Sequence, residues 1–411
     1  MNINTENQPV YDCIIIGAGV SGISFAHYLR TVNKSVLILE EKDRIGGQIQ
    51  TFSSNTDNSY WYELGSHTCY NTYVKLLKIV EDTEYTTNIQ SLDKCKYMLY
   101  TSSGIRKVFS ELSLIPMAAN CGKIFFSSTK GKTVREYFRP IIGKSNYDKV
   151  FSNLFKAVIS QKADEYPAEI FLKRRKIRNK NIVRKYSFNR GLASFLQNVV
   201  NKDNIPIKIN HRVDDIQYDN ETNLFTVITN TGEIIKTHNI ALATNPQATA
   251  KLTQEIDKPI SDILNPVSLF RTESLNVIVS QENLNISKIA GIIPLNNDFL
   301  SVVTRDVVEH PQLRSFTFHF EKGKKNKEEK INIICNVLNI DSDMILEQTQ
   351  TEHVLPALRL NDLGMASKLD NVRNNQNIFI LGNYFHGVSI EDCIHRSSDE
   401  FERFKKINLV N

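Results

Sequence analysis

Apolar residues open the chain as an unbroken run, Cys13-Ile-Ile-Ile16, which stops at Gly17-Ala-Gly19 and resumes at a three-residue step through Val20, Ile23, Ala26 and Leu29. A short continuous run predicts a strand buried on both faces, and the stepped stripe, with Phe25 and Tyr28 beside it, predicts a helix lying on that strand. Val36-Leu-Ile-Leu39 repeats the buried-strand pattern. From about 75 to 204 the pattern turns helical and mixed. Thr133-Val-Arg-Glu136 has the form of a capping box. After Gly143-Lys-Ser145, residues Tyr147, Val150, Phe151, Leu154, Phe155 and Val158 recur at helical spacing. That apolar face is first a core stripe, with a pocket wall or a membrane-facing surface as the other readings.

From about 205 alternation takes over, with strands expected at 207–209, 211–216, 224–228 and around 234, and a hairpin turn at Asn230-Thr-Gly232. A strand follows through 239–244 and ends at Asn245-Pro246. Residues 257–350 form a second sheet-rich block, with strands at 267–270, 275–279, 299–303 and 315–320, and an exposed loop at 322–330 that enters a helix. Ile378-Phe-Ile-Leu381 is a last buried strand, after which Ile390, Ile394, Phe401 and Phe404 define the core-facing side of a helix.

At 411 residues the chain is long enough for two interleaved domains. A net charge of +5 is too small to imply nucleic-acid binding without a concentrated patch. One basic run exists: Lys173, Arg174, Arg175, Lys176, Arg178, Lys180, Arg184 and Lys185, with no acidic residue between them. Its first reading is a solvated face; docking to anionic lipid headgroups and attraction of an anionic substrate are the functional ones. Few aromatics interleave it, which excludes a nucleic-acid surface. Cysteines 13, 69, 95, 121, 335 and 393 show no metal or redox spacing, so a reduced, cytoplasmic setting is expected, with Cys13 as a small core residue. The polar start lacks the basic region of a signal peptide, and the apolar stretch behind it carries glycines that suit a turn better. No segment is long and apolar enough to span a bilayer, and peripheral membrane contact stays open.

The opening glycines carry the chemistry. Gly17 permits a tight strand-to-helix turn, Gly19 keeps side chains away from a pyrophosphate, and Gly22 lets helix and strand pack closely. Val20 and Ser21 then start a helix whose unpaired N–H groups face an anion. Glu40, at the tip of the second strand and followed by Glu41, is placed to accept hydrogen bonds from two ribose hydroxyls, and its charge disfavours a 2′-phosphate. The triad by itself leaves NAD and FAD open.

Glu40-Glu41-Lys-Asp-Arg44-Ile-Gly46-Gly47-Gln48 resembles the extension found in the flavoprotein group of amine oxidases, phytoene desaturases and protoporphyrinogen oxidases. Many members carry Arg where this chain has Gln48. Three further segments share the likeness: Tyr62-Glu63-Leu-Gly65-Ser66-His67, His211-Arg-Val213, and Ala241-Leu-Ala243-Thr244-Asn-Pro. The segment Gly382-Asn383-Tyr-Phe-His386-Gly387-Val388-Ser389 resembles the flavin motif of bacterial protoporphyrinogen oxidases, with His386 where many members have Gly or an acidic residue.

The resemblance implies an α/β fold in which a Rossmann-like, glutathione-reductase-type FAD-binding domain is interleaved with an α+β substrate domain. The FAD-binding domain would take 8–75, 205–256 and 351–411, with 76–204 mostly helical and facing substrate or membrane, and 257–350 sheet-rich. It also implies non-covalent FAD and an oxidase reaction on a reduced tetrapyrrole. An amine or specialised-metabolite oxidase and a catalytically silent FAD-binding partner protein are the alternatives. Backbone N–H groups at Val388 and Ser389 would meet the flavin, where a helix N-terminus stabilises negative charge by roughly 0.3 to 2 kcal/mol; Ser389 could equally be a plain helix cap. His67 and His386 are candidates for proton removal or flavin tuning, against a packing role. No metal-ligand spacing is present, and oligomeric state is open.

Overall fold

The computed structural model describes residues 9–409, so residues 1–8 of the polar start lie outside it. The opening strand Tyr11–Ile16 is flanked in parallel by Val36–Leu39 on one side and by Ile234–Leu242 on the other, and Ile207–Lys208 extends the sheet beyond Val36–Leu39. The long strand Ile234–Leu242 is shared. Its first half pairs antiparallel with Leu224–Thr229, and its second half, Ile240 to Leu242, pairs in parallel with Ile378–Ile380. Val213–Asp219 completes this seven-stranded sheet by pairing antiparallel with Leu224–Thr229, which the hairpin turn at Gly232 (φ +79°) joins to Ile234–Leu242.

Helices Val20–Arg30 and Ile390–Asn408 lie together on one face. Tyr28 stacks on Phe401 at 5.5 Å, and the Ser397 hydroxyl donates to the Ser21 carbonyl at 2.9 Å. The four positions expected to face the core, Ile390, Ile394, Phe401 and Phe404, are all buried. The short strand Ile378–Ile380 is pinned by charge. Glu400, 1% exposed, bonds Arg373, Arg396 and Arg403, and these guanidiniums donate in turn to the carbonyls of Ile378 and Ile380.

The second seven-stranded sheet runs in the order Ile345–Pro356, Leu269–Ser280, Leu313–Glu321, Ser301–Thr304, Gly291–Pro294, Tyr97–Thr101 and Gly104–Lys107. Two expected boundaries move. Strands Tyr97–Thr101 and Gly104–Lys107 come from the stretch expected to be helical, because Gly291–Pro294 offers them an open parallel edge. The second sheet also keeps the chain to Pro356 rather than releasing it at 351, since Ile345–Pro356 pairs along the whole of Leu269–Ser280. One face, with Leu275, Val277, Phe316, Phe318 and Phe320, packs on helix Lys327–Leu338, whose Asn326 and Glu329 form a capping box.

The capping box at Thr133 and Glu136 is present on helix Val134–Ile142. The apolar stripe behind it is broken. Tyr147–Phe151 winds as a wide π turn before helix Ser152–Ile159, so Tyr147 and Val150 are buried while Val158 is rotated out and 69% exposed. Among the described residues no helix is long and apolar enough to cross a membrane, and Cys13, Cys69, Cys95, Cys335 and Cys393 are free thiols.

Burial alone would raise the Glu400 carboxyl, but Arg396, Arg373 and Arg403 overcome it and hold the group down at about 2, below an unfolded value near 4.5. Its contribution is complete above pH 4.5 and is lost as pH falls toward 2. Glu400→Gln is therefore expected to cost about 3–5 kcal/mol in urea unfolding at pH 7 by leaving guanidiniums buried and unpaired. The deficit relative to wild type should shrink through that acid window; a deficit independent of pH would contradict the assignment.

Candidate functional site

The parallel strands Tyr11–Ile16, Val36–Leu39, Ile234–Leu242 and Ile378–Ile380 all end on the same edge. The residues that follow them, Gly17, Glu40, Ala243 and Gly382, meet there, at the carboxyl edge where such sheets bind ligands. Gly17 (φ +105°) makes the turn with no room for more, since a Cβ on it would lie 2.8 Å from the Ala243 carbonyl oxygen. A Cβ on Gly22 would lie 2.0 Å from the Gly17 oxygen, so helix and turn touch backbone to backbone.

Gly19 differs. A Cβ there would meet only the Gly47 Cα, at 3.9 Å, so the space before it is open. Gly19 pairs with Gly46 in a parallel bridge, and the Gly46 N–H donates to the Ala18 carbonyl at 2.8 Å. Gly47 (φ +58°) lies close against Gly19, where a Cβ on it would be 3.1 Å from the Gly19 Cα, so the two turns meet bare of side chains. Arg44 holds this second glycine turn in shape by donating to the carbonyls of Ile45 and Gly47, both at 3.1 Å.

Glu40 is 7% exposed. Its carboxylate accepts from the Ala18 N–H at 2.7 Å and the Lys42 N–H at 3.0 Å, so its position is set by backbone. The Glu40 carbonyl accepts from the His211 N–H at 2.8 Å, which brings the Val213 segment beside it. Glu41 is exposed. This cradle fits an adenine dinucleotide: two side-chain-free turns for a diphosphate, a helix start at Val20 and Ser21 for its charge, and a fixed carboxylate for the ribose.

The other wall comes from the second sheet. Its inner face carries Thr272, Ser274, Asn276, Ser315, Thr317, His319 and His353, all buried. Segment 61–64 lies along this polar face. Thr317 Oγ1 donates to the Glu63 carbonyl at 2.9 Å, Arg305 Nε to the Trp61 carbonyl at 2.9 Å, and Tyr62 Oη bonds Thr349 Oγ1 at 2.6 Å. His353 Nε2 is 2.8 Å from the Leu64 carbonyl, and its Nδ1 is 2.7 Å from Gln48 Oε1.

The Gln48 amide also donates to the Val354 carbonyl at 3.1 Å. Its side chain thus joins the glycine turn to the second sheet. Gly65 continues that junction: a Cβ on it would lie 2.0 Å from the Gln48 oxygen. Ser66 follows, and then His67 borders a cavity of about 20 Å³, room for a water, lined also by Trp61, Glu63, Arg305, Ser315 and Thr317.

Two histidines, His67 and His353, lie near enough to His319 for their charge to act on it. Burial, then the charge of His353 and His67, pushes His319 down to about 3; burial likewise takes His353 to about 4 and lowers His67. All three are neutral at pH 7, and His319 Nδ1 bonds Ser274 Oγ at 2.8 Å. His67 was visible in the sequence as part of a motif, whereas His319 and His353 were not. The available signal was the alternation Ser315, Thr317, His319 in a strand buried on both faces, which marks a polar face that cannot be solvated.

At the far end, Ser389 caps helix Ile390–Asn408 by accepting from the Asp392 N–H at 3.2 Å. The Ser389 hydroxyl is further bonded to the Asp392 carboxylate and to Arg175. This corrects the solvated reading for part of the basic run. Lys173 and Arg175 both reach buried Asp392, at 3.1 and 2.8 Å, and Arg175 lies 5.1 Å over the Tyr73 ring. Thr244 Oγ1 bonds Thr249 Oγ1 at 2.8 Å, Gly382 (φ +139°) packs against the Tyr384 ring, and Asn383 and Val388 are half-buried. His386 lies along the flank of the last helix, 3.1 Å from Asp399.

Burial raises Glu63 to about 7, despite the Leu192 N–H at 2.7 Å, the Thr51 hydroxyl at 2.8 Å and the charge of Arg305. Its folded value exceeds the unfolded 4.5, so stability is greatest below 4.5 and falls as pH rises to 7. Glu63→Gln, which can keep both hydrogen bonds, should gain on wild type by up to about 3 kcal/mol between pH 5 and pH 8 in urea unfolding. An unchanging gap would refute the buried-acid assignment.

The family described as NAD(P)-binding Rossmann-like domain matches residues 15–82. An L-amino-acid oxidase of Siganus canaliculatus is 26% identical over 181 residues, 42% of this chain and 31% of that protein. The matched stretches span 6 to 31% of the length of the curated relatives matched first. Two solved structures are similar over the whole chain. The "Putative protoporphyrinogen oxidase" of Exiguobacterium sp. 255-15 has a TM-score of 0.77 at 14% identity, covering 98% of this chain and 100% of that one. The CLA-producing fatty acid isomerase of P. acnes has a TM-score of 0.73 at 14% identity, covering 97% and 99%.

Proposed function

We propose that this chain, built on the fold shared by protoporphyrinogen oxidases and flavin amine oxidases, is an FAD-dependent oxidase that acts on a reduced, tetrapyrrole-like substrate. The observation that carries the reading is the meeting of two bare glycine turns, the buried Glu40 and the Gly382 to Ser389 turn at one sheet edge, opposite a buried polar wall. Bound there without a covalent link, FAD supplies a two-electron acceptor for hydride from a substrate carbon, with oxygen as the final acceptor. The chain's own part is to hold and to exclude. Gly19 and Gly47 leave space for the diphosphate, Glu40 orients the ribose, and the segment hung from the second sheet presents Gly65 to His67 at the inner end. Neutral His67 lines the small cavity at that end and can accept a proton. Likeness of fold to the Exiguobacterium protein favours the tetrapyrrole, and sequence likeness over 181 residues to an L-amino-acid oxidase favours an amine as the second reading.

Peripheral contact with an anionic membrane belongs to the same proposal. Phe109, Ile115, Phe125 and Phe126 are 80, 83, 85 and 94% exposed, and Lys107, Lys123 and Lys130 are exposed among them. Aromatic groups flanked by lysines suit an interface of headgroups and acyl chains.

Purified protein should carry FAD that acid releases, and Gly19→Val should lose it, because a branched side chain fills the open space before the diphosphate; normal flavin content in the variant would contradict the cradle. Under anaerobic conditions protoporphyrinogen should bleach the flavin and, on admission of air, yield hydrogen peroxide. Bleaching by primary amines or amino acids alone would transfer the assignment to the second reading. In flotation assays the protein should rise with phosphatidylglycerol vesicles, and the double variant Phe125→Ser, Phe126→Ser should stay at the bottom; equal flotation of both would remove the membrane contact.

A further inference from the structure

Among the described residues, one cluster on the flank of the last helix is left unused by the proposed reaction. His386 lies in the turn between strand Ile378–Ile380 and helix Ile390–Asn408, while His395 and Asp399 stand one turn apart on that helix. Such an i, i+4 pair shares a helix face, and the turn folds His386 back over it. Asp399 Oδ2 is 3.1 Å from His386 Nε2 and 3.0 Å from His395 Nδ1, and the three donor atoms lie within 4.8 Å of one another. The imidazole rings are 4.9 Å apart and inclined at 72°.

We propose that His386, His395 and Asp399 bind a divalent transition-metal ion, zinc above all. Tetrahedral coordination with bonds of about 2.0–2.1 Å separates neighbouring ligand atoms by roughly 3.3 Å. Two of the three separations here already lie within a few tenths of an ångström of that value, so the ion enters with small side-chain shifts. Two imidazoles and one carboxylate form a nitrogen-rich, borderline-soft set that prefers Zn²⁺, Co²⁺ or Ni²⁺ to Mg²⁺ or Ca²⁺. The side chains are 28, 42 and 41% exposed, which leaves an entry path and a fourth position for water. The ion would clamp the Gly382 to Ser389 turn onto the last helix, one residue from Gly387. The two imidazoles were invisible as a pair in the sequence, because nine residues and a change of backbone direction separate them.

Calorimetric titration of tag-free full-length protein, freed of metal by chelator, with zinc chloride tests the site. One saturating equivalent is expected, unaffected by millimolar magnesium. His395→Ala and Asp399→Asn should each weaken binding at least tenfold while far-UV circular dichroism and FAD content stay at wild-type levels. Absence of saturable binding overturns the proposal, as does wild-type affinity in both variants, which would leave Asp399 as a simple bridge between two imidazoles. Neither result bears on flavin reduction, so this site and the proposed reaction stand or fall separately.

Discussion

A Cβ at Gly22 would sit 2.0 Å from the carbonyl oxygen of Gly17, and a Cβ at Gly65 would sit the same distance from that of Gln48. These contacts between bare backbones bring together pieces of chain that no side chain could be allowed to separate. The first sets the helix Val20–Arg30 against its strand and so aims the helix start. The second locks the first sheet to the second, because Gln48 belongs to the glycine turn while the Gly65 segment hangs from the polar face of Leu313–Glu321 and Ile345–Pro356. Everything placed between them, including Glu40 and His67, inherits its position from those two approaches.

The nucleotide half of the fold was legible because each of its devices is local. A buried strand, a glycine turn, a stepped apolar helix and a terminal carboxylate fall within thirty or so consecutive residues, and every one has a direct backbone reason. Ser389 and Thr133 were readable for the same cause, since a helix cap is decided within four residues. The hairpin at Gly232 belongs with them.

What escaped the sequence was non-local. The stretch 97–107 carries weak alternation, and only the open edge of Gly291–Pro294 makes it sheet. Val158 fits the helical stripe through Phe155 by spacing alone, but the π turn at Tyr147–Phe151 rotates it to solvent. The pairing of Lys173 and Arg175 with Asp392 joins residues more than two hundred positions apart, and Gln48 meets His353 across three hundred. Periodicity says which face is buried and nothing about its partner. The inner wall illustrates the same limit: Ser315, Thr317 and His319 read as an outward polar face until a second layer is known to cover them.

The sharing of strand Ile234–Leu242 between two partners has a consequence for biosynthesis. Its carboxyl half waits for Ile378–Ile380, and the underside of helix Val20–Arg30 waits for Ile390–Asn408. At about 5–20 residues per second, Ile378–Ile380 leaves the ribosome roughly 7 to 27 seconds after Leu242, and the last helix on the order of twenty seconds to more than a minute after Val20–Arg30. Through those intervals the nascent chain carries an open parallel edge at Ile240 to Leu242 and an uncovered apolar helix face. Both are surfaces prone to pairing with the wrong chain until Ile378–Ile380 and Ile390–Asn408 are made, so the end of the chain closes what its beginning opens.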